Sequence, residues 1–203
     1  MSISDLFFLL LVFLTMVAVV VVVVALLRAR WRTAGRWASV TAGVWIVYLL
    51  AGLAVAVFTP QTVLGQGEER CFDEMCFRVT ATEKLPSLDL NGQKVISPDA
   101  LYKVTVETTN HGLGRTESEG GAEAFLMDAA GKRYKPTTVM GDGLEARVAP
   151  GGKATTELVF DVPASAPGFG LVIAHSYWLN PGKMIIGDDE HLGHKPTMIR
   201  LQE

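Results

Sequence analysis

Residues 6–27 read LFFLLLVFLTMVAVVVVVVALL and residues 38–58 read ASVTAGVWIVYLLAGLAVAVF, and neither stretch contains a charged side chain. A helix of about 20 apolar residues crosses the roughly 30 Å core of a bilayer. The first stretch is longer than the apolar part of a signal peptide, and Asp5 precedes it where a signal peptide carries basic residues. Both stretches therefore predict transmembrane helices, and together they form a helical hairpin.

The ten residues between the two stretches, 28–37, contain four arginines and no acidic residue. Loops rich in arginine and lysine stay in the cytoplasm. We therefore predict a multi-pass protein of the cell (inner) membrane, with its N-terminus and its C-terminal domain on the extracytoplasmic side. The predicted organisation is a membrane anchor over residues 1–58, a linker over 59–70 and an extracytoplasmic domain over 71–203.

Charge is divided between these parts. The first 58 residues contain four basic residues and one acidic residue, whereas the remainder contains fourteen basic and twenty acidic residues. An acidic domain gains nothing from phosphate groups, so nucleic acid is not an expected partner. The expected partners are the lipid bilayer and an envelope or membrane protein; the sequence does not indicate which small molecule, if any, would bind.

After residue 70 the apolar residues alternate with polar ones, as in the run Phe77-Arg78-Val79-Thr80-Ala81. A period of two is typical of a strand with one buried face, and clusters of Gly, Pro and Asn separate the runs. We predict seven or eight strands that form one all-β, immunoglobulin-like sandwich. The predicted strands lie near residues 72–82, 101–109, 123–128, 132–136, 143–148, 153–162, 169–178 and 197–202.

Three segments of the outer domain resemble a known family. They are LYKVTVETTN at 101–110, FLMDAAGKRY at 125–134, and Pro150-Gly151 followed by LVFDVP at 158–163. In this order and spacing they are similar to a bacterial family of telokin-like, immunoglobulin-like domains of unknown function, over residues of about 75–201. The resemblance implies a β-sandwich outside the cell membrane and supplies no catalytic residues. The two-helix anchor, the cysteine pair and residues 178–194 depart from the family pattern.

Cys71 and Cys76 are the two cysteines of the chain. On the oxidising side of the membrane such a pair is expected to form a disulfide. The alternatives are a redox pair and a zinc site. Redox pairs usually have the closer Cys-x-x-Cys spacing at a helix N-terminus, and a zinc site needs two further ligands.

The segment Asp188-Asp-Glu-His-Leu-Gly-His194 has three carboxylates and two imidazoles within seven residues. Carboxylates with imidazoles suit zinc or manganese, and the carboxylates alone would suit calcium. The simpler interpretation is a solvated polar loop. We therefore expect no bound metal and no cofactor, and we keep His191, His194 and Asp188 as the candidate ligands if a metal does bind.

No motif of a known catalytic centre is present: the chain has no Gly-x-Ser-x-Gly elbow and no phosphate-binding glycine loop after a strand. We therefore predict no catalytic residues and a membrane-anchored, non-enzymatic binding module. One alternative is an accessory subunit of a larger membrane complex, in which the helices make the decisive contacts. A second is a metal-dependent or redox enzyme that acts through the Asp188–His194 segment or the cysteine pair.

Overall fold

The structure is a computed structural model that describes residues 3–90, 93–95, 99–163, 165–166, 168–176, 181–188 and 190–202. It divides into two compact units. The first unit consists of Met1–Pro60 and Leu179–Lys195, and the second consists of Gln61–Trp178 and Pro196–Glu203. A segment from near the C-terminus thus belongs to the same unit as the two N-terminal helices.

The first unit contains two long helices, α1 (Ile3–Leu27) and α2 (Trp31–Phe58). By length and composition both are able to cross a membrane. Helix α2 begins seven residues before the predicted apolar stretch, because Arg32 and Arg36 continue the helix into the predicted loop. Arginine is a good helix former, so this extension is favourable locally.

Polar and aromatic side chains join the two helices at two levels. The indole Nε1 of Trp45 donates a hydrogen bond to Thr15 Oγ1 at 3.0 Å. The rings of Phe7 and Tyr48 stack with their centroids 6.2 Å apart. Hydrogen bonds between polar side chains stabilise helix pairs in an apolar medium, where no water competes for the donor.

Twelve strands occur among the described residues of the second unit. They are β1 (Val63–Leu64), β2 (Glu69–Phe72), β3 (Met75–Leu85), β4 (Leu88–Leu90), β5 (Gln93–Val95), β6 (Ala100–Asn110), β7 (Ala122–Asp128), β8 (Arg133–Tyr134), β9 (Thr138–Gly141), β10 (Lys153–Val162), β11 (Phe169–His175) and β12 (Met198–Arg200).

Ten of these strands form two five-stranded sheets, with the orders β1-β12-β11-β7-β8 and β2-β3-β6-β10-β9, while β4 and β5 form a separate hairpin. All the pairs are antiparallel except β1 with β12. The two sheets enclose a core of fully buried side chains from both, including Phe77, Phe160, Leu126 and Leu171. The predicted all-β sandwich behind an N-terminal pair of apolar helices is confirmed.

The structure has twelve strands among the described residues, where seven or eight were predicted. Strands β1, β4, β5 and β9 lie outside the predicted runs, and a turn at residues 73–74 interrupts the predicted run 72–82. Residues 143–148 form no strand, apart from an isolated bridge between Val148 and Glu117, and β9 lies earlier in the chain. The predicted linker over residues 59–70 contains β1 and the first part of β2. The last two residues of the predicted strand 169–178 lie outside the described residues.

Strands β11 and β12 are neighbours in their sheet, yet no tight turn joins them. The chain between His175 and Met198 leaves the second unit and contributes residues 179–195 to the first unit. Its described part contains a short 3-10 helix, Pro181–Met184, followed by turns. We call the described residues 181–188 and 190–195 the strap.

Candidate functional site

The cysteine pair is bonded. Cys71 on β2 lies directly opposite Cys76 on β3, and the two sulfurs are 2.03 Å apart. A bond that closes so short a loop adds about 2 kcal/mol of stability on the loop-entropy model. The pair lies in a strand hairpin and not at a helix N-terminus, so it lacks the feature that usually depresses the pKa of a reactive thiol.

The candidate metal ligands lie in the strap. The backbone N–H of His191 donates to Asp188 O at 3.1 Å, and that of His194 donates to His191 O at 2.9 Å. Among the described residues, the group with mutually close ligand atoms is Glu69 with the two disulfide cysteines, and it includes none of these three. The remaining nearby histidine in the sequence, His175, lies in the second unit, where its Nε2 is 2.6 Å from Glu119 Oε1. The expectation of no bound metal stays a prediction, as do His191, His194 and Asp188 as the candidate ligands if a metal does bind.

The strap packs against one face of α2 within the first unit. Tyr48 donates its hydroxyl hydrogen to the carbonyl oxygen of Met184 at 2.7 Å. The residue four positions later, Gly52, lies under His191: a Cβ placed on this glycine would be 2.7 Å from the imidazole Nε2. A Cβ placed on Gly193 would lie 3.6 Å from that of Ala56. The small residues of α2 therefore make room for the strap.

His191 is enclosed in this contact, with 9% of its surface exposed. Burial lowers the pKa of the imidazole, and the nearby His194 lowers it further, while Asp188 opposes both effects. The lowered pKa favours the neutral form of the imidazole. The segment that the sequence indicated as a solvated loop is thus partly an internal contact.

Beyond the end of β8, one side of β7 has no strand partner among the described residues, and sequence reasoning did not identify this open edge. Asp128 N–H donates to Lys132 O at 3.1 Å on the β8 side of β7. Because backbone groups alternate along an antiparallel strand, the N–H and C=O of Leu126 and Ala124 point to the same side. Strand β8 covers Leu126 but ends at Tyr134. The backbone groups of Ala124 therefore face a position that β8 does not fill.

An open pocket of about 570 Å³ adjoins this edge. Its apolar surface includes Leu144 and Leu158, both largely buried, and Pro136 lies where the chain crosses from β8 to β9. The charged side chains around the pocket are three carboxylates and one ammonium group: Glu123, Asp142, Glu145 and Lys135.

Two of these carboxylates also organise the neighbouring loops. Glu145 Oε1 accepts a hydrogen bond from Gly121 N–H at 2.5 Å, and Asp142 Oδ2 accepts one from Thr155 N–H at 3.0 Å. The rim of the pocket is therefore held by bonds between side chain and backbone, and it carries a net negative charge. Such a site suits an elongated ligand with a basic group.

No known protein family matches the chain, and no curated protein does. The telokin-like resemblance therefore stays a prediction. Solved β-sandwich structures do resemble the fold. An uncharacterized β-sandwich protein from Clostridium difficile has 8% sequence identity and a TM-score of 0.44, over 71% of this chain and 96% of that one. The YjhA protein from Bacillus subtilis has 15% identity and a TM-score of 0.44, over 68% and 99%.

The secreted protein MPT63 from Mycobacterium tuberculosis has 11% identity and a TM-score of 0.43, over 70% of this chain and 98% of that one. Likenesses of this size concern the fold alone.

Proposed function

We propose that this chain is a membrane-anchored, non-enzymatic binding module whose β-sandwich lies on the extracytoplasmic side. The observation that carries the proposal is the open edge of β7 beside a pocket. The two apolar helices and the arginines between them support the anchor and its orientation. The disulfide supports an oxidising location for the sandwich.

The orientation predicts which positions a thiol reagent reaches. In cells with an intact cytoplasmic membrane, an impermeant maleimide should label Leu113→Cys, because this side chain is 99% exposed in the sandwich. It should not label Thr33→Cys near the arginines, which a permeant maleimide should reach. Cys71 and Cys76 should react with neither reagent before reduction. Labelling of Thr33→Cys alone by the impermeant reagent would contradict the orientation.

The ligand class that fits the β7 edge is an extended peptide segment of another envelope or membrane protein. An extended chain that pairs with a free sheet edge gains main-chain hydrogen bonds, and adjacent pockets then select its side chains. At this edge the N–H and C=O of Ala124, a residue that is 6% exposed, face the side that β8 leaves unpaired, and the pocket beside them accepts a neighbouring side chain. The carboxylates of Glu123, Asp142 and Glu145 favour lysine or arginine in that position.

The test is selection of short random peptides on the full chain in detergent, followed by hydrogen exchange of the complex. Selected peptides should be enriched in lysine or arginine and should slow the exchange of the Ala124 amide by about tenfold or more. Glu123→Lys should weaken their binding about tenfold at low salt, because it reverses a charge beside the pocket.

Glu83→Lys is the matched control, since it makes the same charge change on β3 of the other sheet, where the exposed Glu83 pairs with the half-buried Lys103. It should leave binding unchanged. Peptides that bind both variants equally, or that protect amides elsewhere and leave Ala124 unprotected, would overturn the proposed site.

A second candidate function is an accessory subunit of a larger membrane complex. It is favoured by a groove of about 550 Å³ on the helical hairpin, where Phe7, Leu11, Val44 and Tyr48 contribute to an almost entirely apolar lining. Exchange of the hairpin for an unrelated two-helix anchor separates the two functions. Loss of assembly favours the subunit, whereas retained peptide binding favours the module.

A further inference from the structure

The apolar side chains of the strap continue the apolar surface of α2. Leu192 is 59% exposed and borders a small cleft that it shares with Leu49 and Leu53, which are themselves 49% and 52% exposed. Contiguous apolar surface is unfavourable in water and favourable against lipid. Since these leucines of α2 belong to a predicted transmembrane helix, Leu192 is placed in the same medium.

Several backbone N–H and C=O groups of the strap are hydrogen-bonded within the protein, as an apolar medium requires. Leu192 N–H donates to Lys183 O at 3.0 Å, and Asp188 N–H donates to Ile185 O at 3.2 Å. The carbonyl of Met184 is bonded to Tyr48, as described above. Non-helical backbone is tolerated at membrane depth where protein groups satisfy its hydrogen bonds.

The charges of the strap limit how deep it can lie. Asp188 and Glu190 lie between the apolar residues 184–186 and Leu192, and Lys183 borders the same cleft as Leu192. A charged group in the centre of a bilayer is costly. A Cβ on Gly187 would lie 3.9 Å from Ser4 Oγ, which places this turn beside the first residues of α1. In the proposed orientation that end of α1 is at the extracytoplasmic surface of the cell membrane. The strap is therefore at the interface and not at the bilayer centre.

We propose that the strap is a third membrane-contacting element, with Leu192 against the acyl chains of outer-leaflet phospholipids and the carboxylates in the headgroup layer. This inference rests on the proposed membrane anchor. The strap, which lies between β11 and β12 in the chain, thereby contacts lipid in addition to the two helices.

The test is spin labelling of three single-cysteine additions in the full chain, reconstituted in phosphatidylcholine vesicles with the native disulfide intact. Ile46→Cys reports on the middle of α2, Val139→Cys on exposed strand β9, and Leu192→Cys on the strap. A polar nickel chelate is excluded from apolar layers, so its collision rate should be about tenfold lower at Leu192→Cys than at Val139→Cys. Leu192 lies beside Leu49 and Leu53, nearer the outer end of α2 than Ile46, so oxygen should place the Leu192 label at a shallower depth than the Ile46 label.

The three labels separate the two proposals. If the Ile46 label is as accessible to nickel as the Val139 label, the hairpin is not in the bilayer and the anchor itself fails. If the Ile46 label is protected while the Leu192 label matches the Val139 label, the anchor stands and the strap inference is overturned. A Leu192 label as deep as the Ile46 label would overturn the interfacial placement.

Discussion

Changing Asn110 to aspartate is expected to destabilise the β-sandwich by about 3–5 kcal/mol, which is the typical loss when a buried charge is left unpaired. Asn110 is fully buried at the end of β6. Its Nδ2 group donates to Val148 O at 2.9 Å and to Arg115 O at 3.1 Å. Its Oδ1 accepts from Gly112 N–H at 2.8 Å.

The expected loss follows from the donor and acceptor inventory. Aspartate has the shape of asparagine, but in its ionised form it only accepts hydrogen bonds and donates none. The carbonyl oxygens of Val148 and Arg115 would each lose a donor and face a carboxylate instead. Arg115 lies between β6 and β7, whereas Val148 lies between β9 and β10, so the loss of both hydrogen bonds would also release the contact that Asn110 makes between these two loops.

The measurement is denaturant unfolding of the full chain in detergent, monitored by the circular dichroism signal of the strands. Thr108→Val is the matched control, two residues earlier on the same strand. Thr108 is also fully buried, but its Oγ1 has no hydrogen-bond partner among the described residues. This change should be neutral or stabilising by about 1 kcal/mol, because it removes an unpaired hydroxyl. Equal destabilisation by the two variants would contradict the role of Asn110.

The alternation of apolar residues predicted most of the sandwich but not all of its ladders. In β6, Tyr102, Val104 and Val106 are buried and the strand forms as expected. Residues 143–148 have a similar pattern, with Leu144 and Val148 buried, yet they form no continuous strand. Side chains can reach the core from an irregular loop, so alternation reports burial and not hydrogen bonding.

The sequence contains one signal for the open edge of β7, which is Pro136. Strand β8 ends two residues before Pro136, and proline cannot donate to a ladder. The signal indicates where pairing stops. It does not indicate that the neighbouring β7 residues stay uncovered, because that depends on where the chain goes next, and here it crosses to the other sheet.

Patterns of neighbouring residues do not predict that the strap packs against α2. Gly52 and Ala56 form a small-xxx-small pair, a pattern typical of helix–helix contacts. In the structure they face residues of the strap, and the bond from Tyr48 to Met184 joins positions 136 residues apart. A pattern of small residues predicts close approach of a backbone, but it does not say which backbone approaches.

Changing Gly52 to leucine is expected to release the strap from α2. Even a Cβ at this position would lie 2.7 Å from His191 Nε2 and 2.9 Å from its Cε1, so a larger side chain must displace the imidazole. Overpacking of a close contact costs about 1–3 kcal/mol. At the upper end this corresponds to about a 100-fold larger population of the released strap.

Limited trypsin digestion in detergent measures this release. Cleavage after Lys183 requires local opening, because the carbonyl of Lys183 is bonded to Leu192 N–H within the folded strap. When opening is fast, the cleavage rate follows the open population. The fragment that begins at Met184 should therefore appear up to about 100-fold faster in Gly52→Leu than in the unmodified chain.

Gly43→Leu is the matched control on the same helix, since a Cβ there would meet nothing within 4 Å. It should leave the cleavage rate after Lys183 unchanged. Adding His191→Ala to Gly52→Leu removes the imidazole that the leucine displaces, and it should slow cleavage again. If Gly43→Leu accelerates cleavage as much as Gly52→Leu, or if the double variant shows no recovery, the contact between His191 and Gly52 does not hold the strap. Recovery in the double variant alone would show that steric fit at this one position, and not general disturbance of α2, decides whether the strap stays bound.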